Sequence, residues 1–152
     1  MLILGTCNPQ GESPKYNGLY FRQDELLHIH NEGLLKTLPV KQEHTGDQIG
    51  TVISSFIDKN NNLQCLLEVD ESCMQGSLAA GFVRDSIAKE LSMGYVVDVQ
   101  QSSDQLKATS KKVLEISLVR KGARENCQIH AFQDSNNEVQ WTTNAWYSFD
   151  LS

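Results

Sequence analysis

Apolar residues occur along the chain in short runs that alternate with polar stretches rich in turn-forming residues. The N-terminal run MLILG predicts a first strand, residues 8–18 (NPQGESPKYNG) predict a polar loop, and LYF predicts the next strand. Residues 51–56 and 63–69 are two further strand-like runs on either side of DKNNN, a stretch of turn-forming residues. This arrangement predicts a β-hairpin.

Two segments within roughly the first ninety residues predict helices. Residues 25–30 (ELLHIH) predict a short extended piece, after which Asn31 is placed to cap a short helix over EGLLKTL that Pro39 ends. From Ser77 onward, apolar residues recur at helical spacing: Leu78, Ala79, Phe82, Val83 and Ile87. This spacing predicts an amphipathic helix that runs to about Glu90.

The second half of the chain returns to strand-like runs. LSMGYVVDV predicts a strand, QSSDQLKATS a polar loop, KVLEISLV a strand, RKGAREN a charged turn and CQIHAF a further strand. Apolar and polar residues alternate in the tail, EVQWTTNAWYSFDL, and this alternation predicts a strand pair or an edge strand. About seven strands without βαβ alternation are typical of a small barrel or sandwich with helices packed outside. The predicted fold class is mainly β, of the α+β kind.

Length and charge narrow the possible functions. At 152 residues the chain is most simply one domain, residues 1–152. The formal net charge is −6 and the basic residues are scattered, whereas a nucleic-acid surface needs a concentrated basic face. The apolar runs are too short for a membrane span or a signal peptide. We therefore predict no nucleic-acid and no membrane partner.

The cysteines do not favour metal or thiol chemistry. Cys7, Cys65, Cys73 and Cys127 lie far apart, form no C-x-x-C pair and lack metal-ligand spacing. Without an export signal they are predicted to be reduced thiols inside a cell. None lies in an electropositive motif that would activate it as a nucleophile. Dinucleotide, P-loop and HExxH motifs are absent, so we predict neither a cofactor nor a metal.

His44 lies in a polar run, LPVKQEHTGDQIG, between an apolar turn and a strand-like segment. Such a histidine is either a solvated loop residue, which is the commoner case, or a catalytic base. Peptide hydrolysis near neutral pH requires a nucleophile, a base, a third group that orients the base, and donors for the oxyanion. The remaining candidates must come from elsewhere in the chain.

Ser92 is the best candidate for the nucleophile. It lies at a switch from helix to strand in KELSMGYVV, where a sharp turn can present a hydroxyl, and Gly94 lets the backbone approach closely. The alternative is an ordinary serine at the start of a strand. Both readings fit the local pattern.

Glu115 is a lone carboxylate in an apolar strand, KVLEISLV. Strand alternation puts Glu115 and Ser117 on one face, and the carboxylate either points to solvent or holds an imidazole. The charged turn that follows could supply backbone N–H groups through Gly122 and Ala123, and positive charge from Arg124. A solvated basic turn is the alternative there.

Three other histidines are weaker candidates. His28 and His30 would share one face of a strand and could bind a metal ion, but no acidic or cysteine partners lie nearby in the sequence. His130, in CQIHAF, is predicted to be a strand residue of the fold rather than a member of a triad.

Three of these segments together resemble the herpesvirus capsid maturation proteases (assemblins) and their relatives, the phage prohead proteases. The assemblin base segment has Leu-Pro, a hydrophobic residue, three variable positions, His and then a Gly-x-Val strand, matched here by Leu38, Pro39, Val40, His44 and Gly50-Thr51-Val52. The phage proteases carry a Leu-Ser-x-Gly-aromatic nucleophile segment, matched by LSMGY at residues 91–95. They also place an acidic residue in a strand similar to LEISLV, residues 114–119.

The resemblance implies a triad of Ser92 as nucleophile, His44 as base and Glu115 as the orienting carboxylate. Assemblins have a second histidine in place of this acid, followed seven residues later by Gly-Arg-Arg, whose arginines serve the oxyanion. The corresponding residues here are Gly122, Ala123 and Arg124, so alanine replaces the first arginine. A main-chain donor at Ala123 survives that change.

The resemblance also implies a fold and a function. The expected fold is a small closed barrel of about six to seven antiparallel strands with a few flanking helices. The expected function is a serine endopeptidase that cleaves scaffold protein and its own precursor inside an assembling viral capsid, within the cytoplasm or nucleus of a host cell. A homodimer or higher oligomer is expected to be possible. The alternatives are a non-catalytic barrel that binds scaffold or capsid protein and a cellular protease of the same fold.

Overall fold

The computed structural model describes residues 1–11, 20–102 and 105–145. Its strands are β1 (Leu2–Asn8), β2 (Pro39–Gln42), β3 (Thr45–Ile57), β4 (Leu63–Val69), β5 (Glu90–Ser102), β6 (Gln105–Val119), β7 (Ile129–Gln133) and β8 (Val139–Trp141). Its helices are α1 (Gln23–Asn31) and α2 (Met74–Arg84). No helix in these ranges is long and apolar enough to cross a membrane.

The strands form one sheet in the order β5-β6-β2-β3-β4-β1-β7-β8. Neighbouring strands pair antiparallel except β2 and β6, which pair parallel through Val40–Ile116 and the two following residue pairs. Because β2 and β6 run parallel, the end of β2 lies beside the end of β6, and this contact positions the candidate active site.

The prediction of a closed barrel is wrong, because the sheet is open. Its edge strand β5 meets the segment before β7 at the isolated bridge Glu90–Gln128, which is one residue pair rather than a ladder. The edge strands also differ in length, since β5 has 13 residues and β8 has three. The two edge strands of the described sheet, β5 and β8, therefore form no ladder that would close it.

Several predicted strands are confirmed. The hairpin of residues 51–56 and 63–69 is part of the β3–β4 pair, and the runs at MLILG, LSMGYVVDV, KVLEISLV and CQIHAF supply β1, β5, β6 and β7. The tail contributes β8, while residues 146–152 lie outside the described residues. Residues 20–21 are not in a strand, and residues 12–19, which include most of the predicted loop, lie outside the described residues too.

The prediction that residues 25–30 are extended is wrong. They belong to α1, which Asn31 ends rather than caps, and residues 32–37 form turns instead of a helix. At the start of the helix the Arg22 N–H donates to Glu25 Oε1 at 3.0 Å, so the side chain of the third helical residue satisfies the N-cap backbone. Leu26 and Ile29, three residues apart, are buried on one face of α1.

Two other predicted boundaries differ from the structure. The prediction of a polar loop at residues 101–110 is wrong, because residues 101–102 and 105–110 extend β5 and β6, while residues 103–104 lie outside the described residues. The helix predicted from Ser77 to Glu90 begins at Met74 and ends at Arg84. It ends because Ser86 adopts φ +58° and the N–H groups of the next two residues donate back to the Phe82 carbonyl.

The core covers one face of the sheet near the site. Leu91 and Met93 on β5 and Ile116 and Leu118 on β6 are buried, and each contributes roughly 1.5–3 kcal/mol through the removal of its side chain from water. The residues that alternate with them point to the other face. The same packing that holds these strands therefore fixes the directions of Ser92, Glu115 and Ser117.

His130 is buried in β7, as predicted for a strand residue of the fold. Its Nε2 lies 2.7 Å from Thr6 Oγ1 and its Nδ1 lies 2.8 Å from Thr143 Oγ1. The Thr6 hydroxyl donates its proton to Gln64 Oε1 at 3.1 Å, so Nε2–H must donate to Thr6. Burial lowers the pKa of His130 and so favours the neutral imidazole, although the negative charge of Asp58 opposes this effect.

We expect this histidine to destabilise the fold in acid. The lowered pKa means that the unfolded chain takes up the proton first, so the free energy of unfolding falls as the pH drops below the ordinary histidine value of about 6.5. Urea denaturation at pH 7.5 and pH 5.5 measures the drop in wild type and in His130→Gln. The drop should be smaller in the variant, and an equal drop in both proteins would contradict the prediction.

Candidate active site

His44 lies in the two-residue turn between β2 and β3. Glu43 and His44 have φ values of +51° and +60°, and Gln42 pairs with Thr45 across the turn. Positive φ at both central residues is typical of a type I′ turn, whose twist matches the flanking strands. The sequence carries no Asn-Gly or Asp-Gly signal here, and for this reason the hairpin could not be predicted.

Hydrogen bonds to the end of β6 hold this turn in place. The Glu43 N–H donates to the Leu118 carbonyl at 3.0 Å, and the His44 N–H donates to Ser117 Oγ at 2.9 Å. The Arg120 N–H donates to Glu43 Oε1 at 2.8 Å. Left-handed backbone costs on the order of 1 kcal/mol or more per residue, and these bonds offset that cost.

Ser92 is the third residue of β5 and lies in the ladder opposite Ser117. The predicted sharp turn from helix to strand is not present at this position. Two residues later, Gly94 pairs with Glu115. Because side chains two residues apart share a face of a strand, Ser92 and Glu115 lie on the same face of neighbouring strands.

Glu115 is buried, with 8% of its surface exposed, so the solvent-facing alternative is wrong. The apolar neighbour Leu114 is 43% exposed instead. The register shifts here, because Gly94 pairs with Glu115 while Tyr95 pairs with Val113, which leaves Leu114 as the extra residue of a β-bulge. Bulges change the direction of side chains and often occur beside active sites.

Gly94 makes room for this carboxylate. A Cβ atom at position 94 would lie 2.8 Å from Glu115 Cδ and closer still to Oε1. The sequence pattern indicated that this glycine allows a close approach of backbone. The structure shows that the approaching group is the side chain of Glu115.

The structure brings Ser92, His44 and Glu115 together. His44 Nε2 lies 2.9 Å from Ser92 Oγ, and His44 Nδ1 contacts Glu115 Oε1 within hydrogen-bond distance. The His44 side chain is 42% exposed, whereas the carboxylate lies beneath it. The catalytic role of the three residues remains a prediction.

The partners of the imidazole determine where its proton lies. An ionised carboxylate can accept hydrogen bonds but cannot donate them, so His44 Nδ1–H donates to Glu115 Oε1. Nε2 of the neutral ring is then an acceptor, and the Ser92 hydroxyl donates to it. This tautomer can take a proton from Ser92.

Arg124 shares a small cavity with Ser92. The cavity is lined by Cys7, Asn8, Tyr20, Phe21, Ser92, Met93, Tyr95 and Arg124. The Arg124 guanidinium donates from Nη2 to the Gly11 carbonyl at 3.0 Å. Within the described residues, Arg124 Nε and Asn8 Oδ1 are buried and have no hydrogen-bond partner. Buried polar atoms are normally paired, so these two indicate a place where a bound group can complete the bonding.

The other two residues of the predicted oxyanion turn lie outside the lining of this cavity. The Gly122 N–H donates to Glu90 Oε1 at 3.3 Å, and a Cβ atom at this glycine would lie 3.1 Å from the Leu91 carbonyl. Ala123 is exposed. The structure therefore places Arg124 at the cavity that Ser92 also lines, and an oxyanion role for Gly122, Ala123 or Arg124 remains a prediction.

The structure contradicts the premise of the metal-binding alternative for His28 and His30, which was that the two residues share one face of a strand. Both residues lie on α1, where residues two apart point about 200° away from each other rather than to one face. His30 Nδ1 lies 3.1 Å from Ser55 Oγ. Among the described residues, no group of three or more His, Cys, Asp or Glu side chains could hold a metal ion.

Burial disfavours thiolate formation at two of the cysteines. Desolvation raises the pKa of Cys7 well above its usual value, and it raises the pKa of Cys127 to about 12. A reactive cysteine needs the opposite shift, so burial disfavours a nucleophilic role for these two thiols.

The fold is similar to that of the Kaposi's sarcoma-associated herpesvirus (KSHV) protease. In complex with a hexapeptide phosphonate inhibitor, that protease matches with a TM-score of 0.60 and 16% identity, over 88% of this chain and 65% of that chain. The same protease in complex with an allosteric inhibitor matches with a TM-score of 0.50 and 13% identity, over 97% of this chain and 78% of that chain. In complex with a dimer disruptor it matches with a TM-score of 0.50 and 14% identity, over 84% of this chain and 73% of that chain.

The likeness concerns the fold, since the sequence identity is low. No protein-family model and no curated protein matches the sequence. The chain spans 65% of the length of the KSHV protease in the first of these structures. The protein thus has an assemblin-like fold, mainly β, in which eight strands of the described residues form an open sheet.

The substitution Gly94→Ala tests the space that the carboxylate occupies. The added methyl group should push Glu115 away from His44, so the resonance of the hydrogen-bonded Nδ1 proton of His44 should disappear from the NMR spectrum. Gly81→Ala is the matched control, because nothing lies within 4 Å of a Cβ atom there. That control should keep the resonance, and a Gly94→Ala protein that also keeps it would contradict the prediction.

Proposed function

We propose that this protein is a serine endopeptidase of the assemblin type, with Ser92 as nucleophile, His44 as base and Glu115 as the orienting carboxylate. The observation that carries the proposal is the continuous chain of hydrogen bonds from Ser92 Oγ through the His44 ring to Glu115. The assemblin-like fold supports it independently of the motifs. The half-buried position of Ser92 leaves its hydroxyl within reach of a peptide.

The geometry supports acyl transfer in two steps. Ser92 Oγ attacks the carbonyl carbon of the scissile bond as its proton passes to His44 Nε2, and the imidazolium is stabilised by the charge of Glu115. The tetrahedral intermediate then collapses, the C–N bond breaks, and the leaving amine takes the proton from Nε2. A water molecule next attacks the carbonyl carbon of the acyl-enzyme and gives a proton to Nε2. The bond from that carbon to Ser92 Oγ then breaks, Nε2 returns the proton to Oγ, and the acid is released.

The oxyanion of each tetrahedral intermediate needs donors near Ser92. The Arg124 Nε–H is a buried donor without a protein partner within the described residues, and Arg124 lines the cavity that Ser92 also lines. We assign it this role together with the Ala123 N–H. One such donor is commonly worth roughly 3 kcal/mol. The Gly122 N–H is engaged with Glu90, so we assign Gly122 the task of letting the turn pack close to β5.

The substrate follows from the assemblin resemblance. We infer that the enzyme cleaves the scaffold protein of an immature viral capsid, and its own precursor, inside the assembling capsid in a host cell. The similar KSHV structure in complex with a dimer disruptor supports a homodimer. Purified scaffold protein should be cut by the wild-type chain and left intact by Ser92→Ala.

A serine-directed covalent probe tests the nucleophile. A fluorophosphonate or a peptide phosphonate should label the wild-type protein on Ser92, and Ser92→Ala should not be labelled. In His44→Gln the labelling rate should fall by roughly 10²- to 10⁴-fold, because the hydroxyl loses its base. Mass spectrometry of the intact protein measures both results.

The matched control for this experiment is Ser54→Ala, which removes an exposed serine from β3 and should be labelled as fast as wild type. A folded wild-type protein that stays unlabelled would contradict the proposal. That result would favour the alternative function, a non-catalytic protein that binds scaffold or capsid protein.

Glu115→Gln tests the orienting carboxylate. Glutamine keeps the size of the side chain, but its neutral amide cannot stabilise an imidazolium, so the labelling rate should fall by roughly 10²- to 10⁴-fold. The free energy of unfolding, measured in urea, should change little by comparison. A severe loss of stability with an unchanged labelling rate per folded molecule would show that Glu115 has a structural role instead.

A further inference from the structure

Ser117 contacts the base and the carboxylate at the same time, although the sequence motifs assign it no role. Its side chain is fully buried on β6, two residues after Glu115. Ser117 Oγ lies 2.7 Å from Glu115 Oε2 and 2.9 Å from the backbone nitrogen of His44. The hydroxyl thus joins the strand that carries the acid to the turn that carries the base.

The chemistry of a hydroxyl determines the direction of both bonds. A serine hydroxyl has one proton to donate and lone pairs with which it can accept. The carboxylate can only accept, so the proton goes to Glu115 Oε2. The His44 N–H then donates to a lone pair of the same oxygen. Both bonds form at once without competing for the proton.

These bonds divide the two oxygens of Glu115 between two donors. Oε2 is held by Ser117, so Oε1 is turned toward His44 Nδ1. The backbone of His44 is held in its left-handed conformation, with φ +60°, by the second bond. The orientation of the carboxylate and the position of the ring thus depend on a single oxygen atom.

We propose that Ser117 is a positioning residue of the site, which fixes the contact between His44 and Glu115 by binding to both. Its effect on catalysis rests on the proposed function, since it acts through the base and not on the substrate. Without the hydroxyl, the carboxylate is free to rotate and the turn loses one of its anchors. Bonds to charged groups are among the stronger ones, so their loss should be measurable.

The experiment compares Ser117→Ala with Ser55→Ala in the otherwise complete chain. Ser55 Oγ lies 3.1 Å from His30 Nδ1, so the control also removes a serine next to a histidine, but on another part of the sheet. Two quantities are measured: the rate of labelling by the fluorophosphonate, and the NMR resonance of the His44 Nδ1 proton, assigned by its loss in His44→Gln.

In Ser117→Ala the labelling rate should fall about ten- to a hundredfold and the Nδ1 proton resonance should be lost or broadened. Ser55→Ala should match wild type in both measurements. Ser117→Thr keeps the hydroxyl and should recover most of the rate and the resonance. A role limited to stability would lower the free energy of unfolding without moving the resonance in the folded protein.

Unchanged labelling together with an unchanged His44 resonance in Ser117→Ala would overturn the inference. If that variant does not fold, Ser117→Cys decides the question, because the thiol keeps nearly the same volume but is a weak donor and acceptor. It should show the same losses, and wild-type behaviour would overturn the inference. If wild type itself is not labelled, the proposed function fails, while the resonance still decides whether Ser117 positions the ring.

Discussion

The docking of the β2–β3 turn onto the end of β6 is the contact on which the arrangement of the site depends. The parallel pairing of β2 with β6 ends at Gln42 and Leu118, and the next residue along the chain, Glu43, donates its N–H to the Leu118 carbonyl. The His44 ring is 42% exposed, and an exposed turn by itself would leave the ring several rotamers. The bonds to β6 limit this freedom before any substrate binds, as pre-organisation of a site requires.

Placing a carboxylate beneath this ring requires several compensations. A buried charge is costly unless hydrogen bonds satisfy it, and Glu115 receives one at each oxygen. Space for it comes from Gly94, and the bulge leaves Leu114 on the surface. A left-handed histidine, a buried acid and an exposed leucine each break a local rule. They occur together at one place, as is typical of functional sites.

The sequence identified the three central residues because hydroxyl, imidazole and carboxylate chemistry could be matched to spaced motifs. It could not reveal Ser117, whose contacts depend on the non-local pairing of β2 with β6. Nor could it reveal α1, because the alternation in ELLHIH imitates a strand. The helix is decided by the bond from the Arg22 N–H to Glu25 and by the burial of Leu26 with Ile29. Barrel closure was predicted wrongly because strand number alone does not show whether the two edge strands pair with each other.

The register of the β5–β6 pair explains why an imidazole fits between the two other groups. Ser92 lies opposite Ser117 and Gly94 lies opposite Glu115, so Ser92 and Glu115 are diagonal neighbours. Diagonal positions on antiparallel strands are about 7–8 Å apart, and the His44 ring lies between the two side chains. A ring with a bond at each nitrogen bridges that gap. The bulge begins just beyond Glu115, so the register between the two residues stays regular. A slip of one residue would turn one of them to the opposite face, and no rotation of the histidine could restore the chain of bonds.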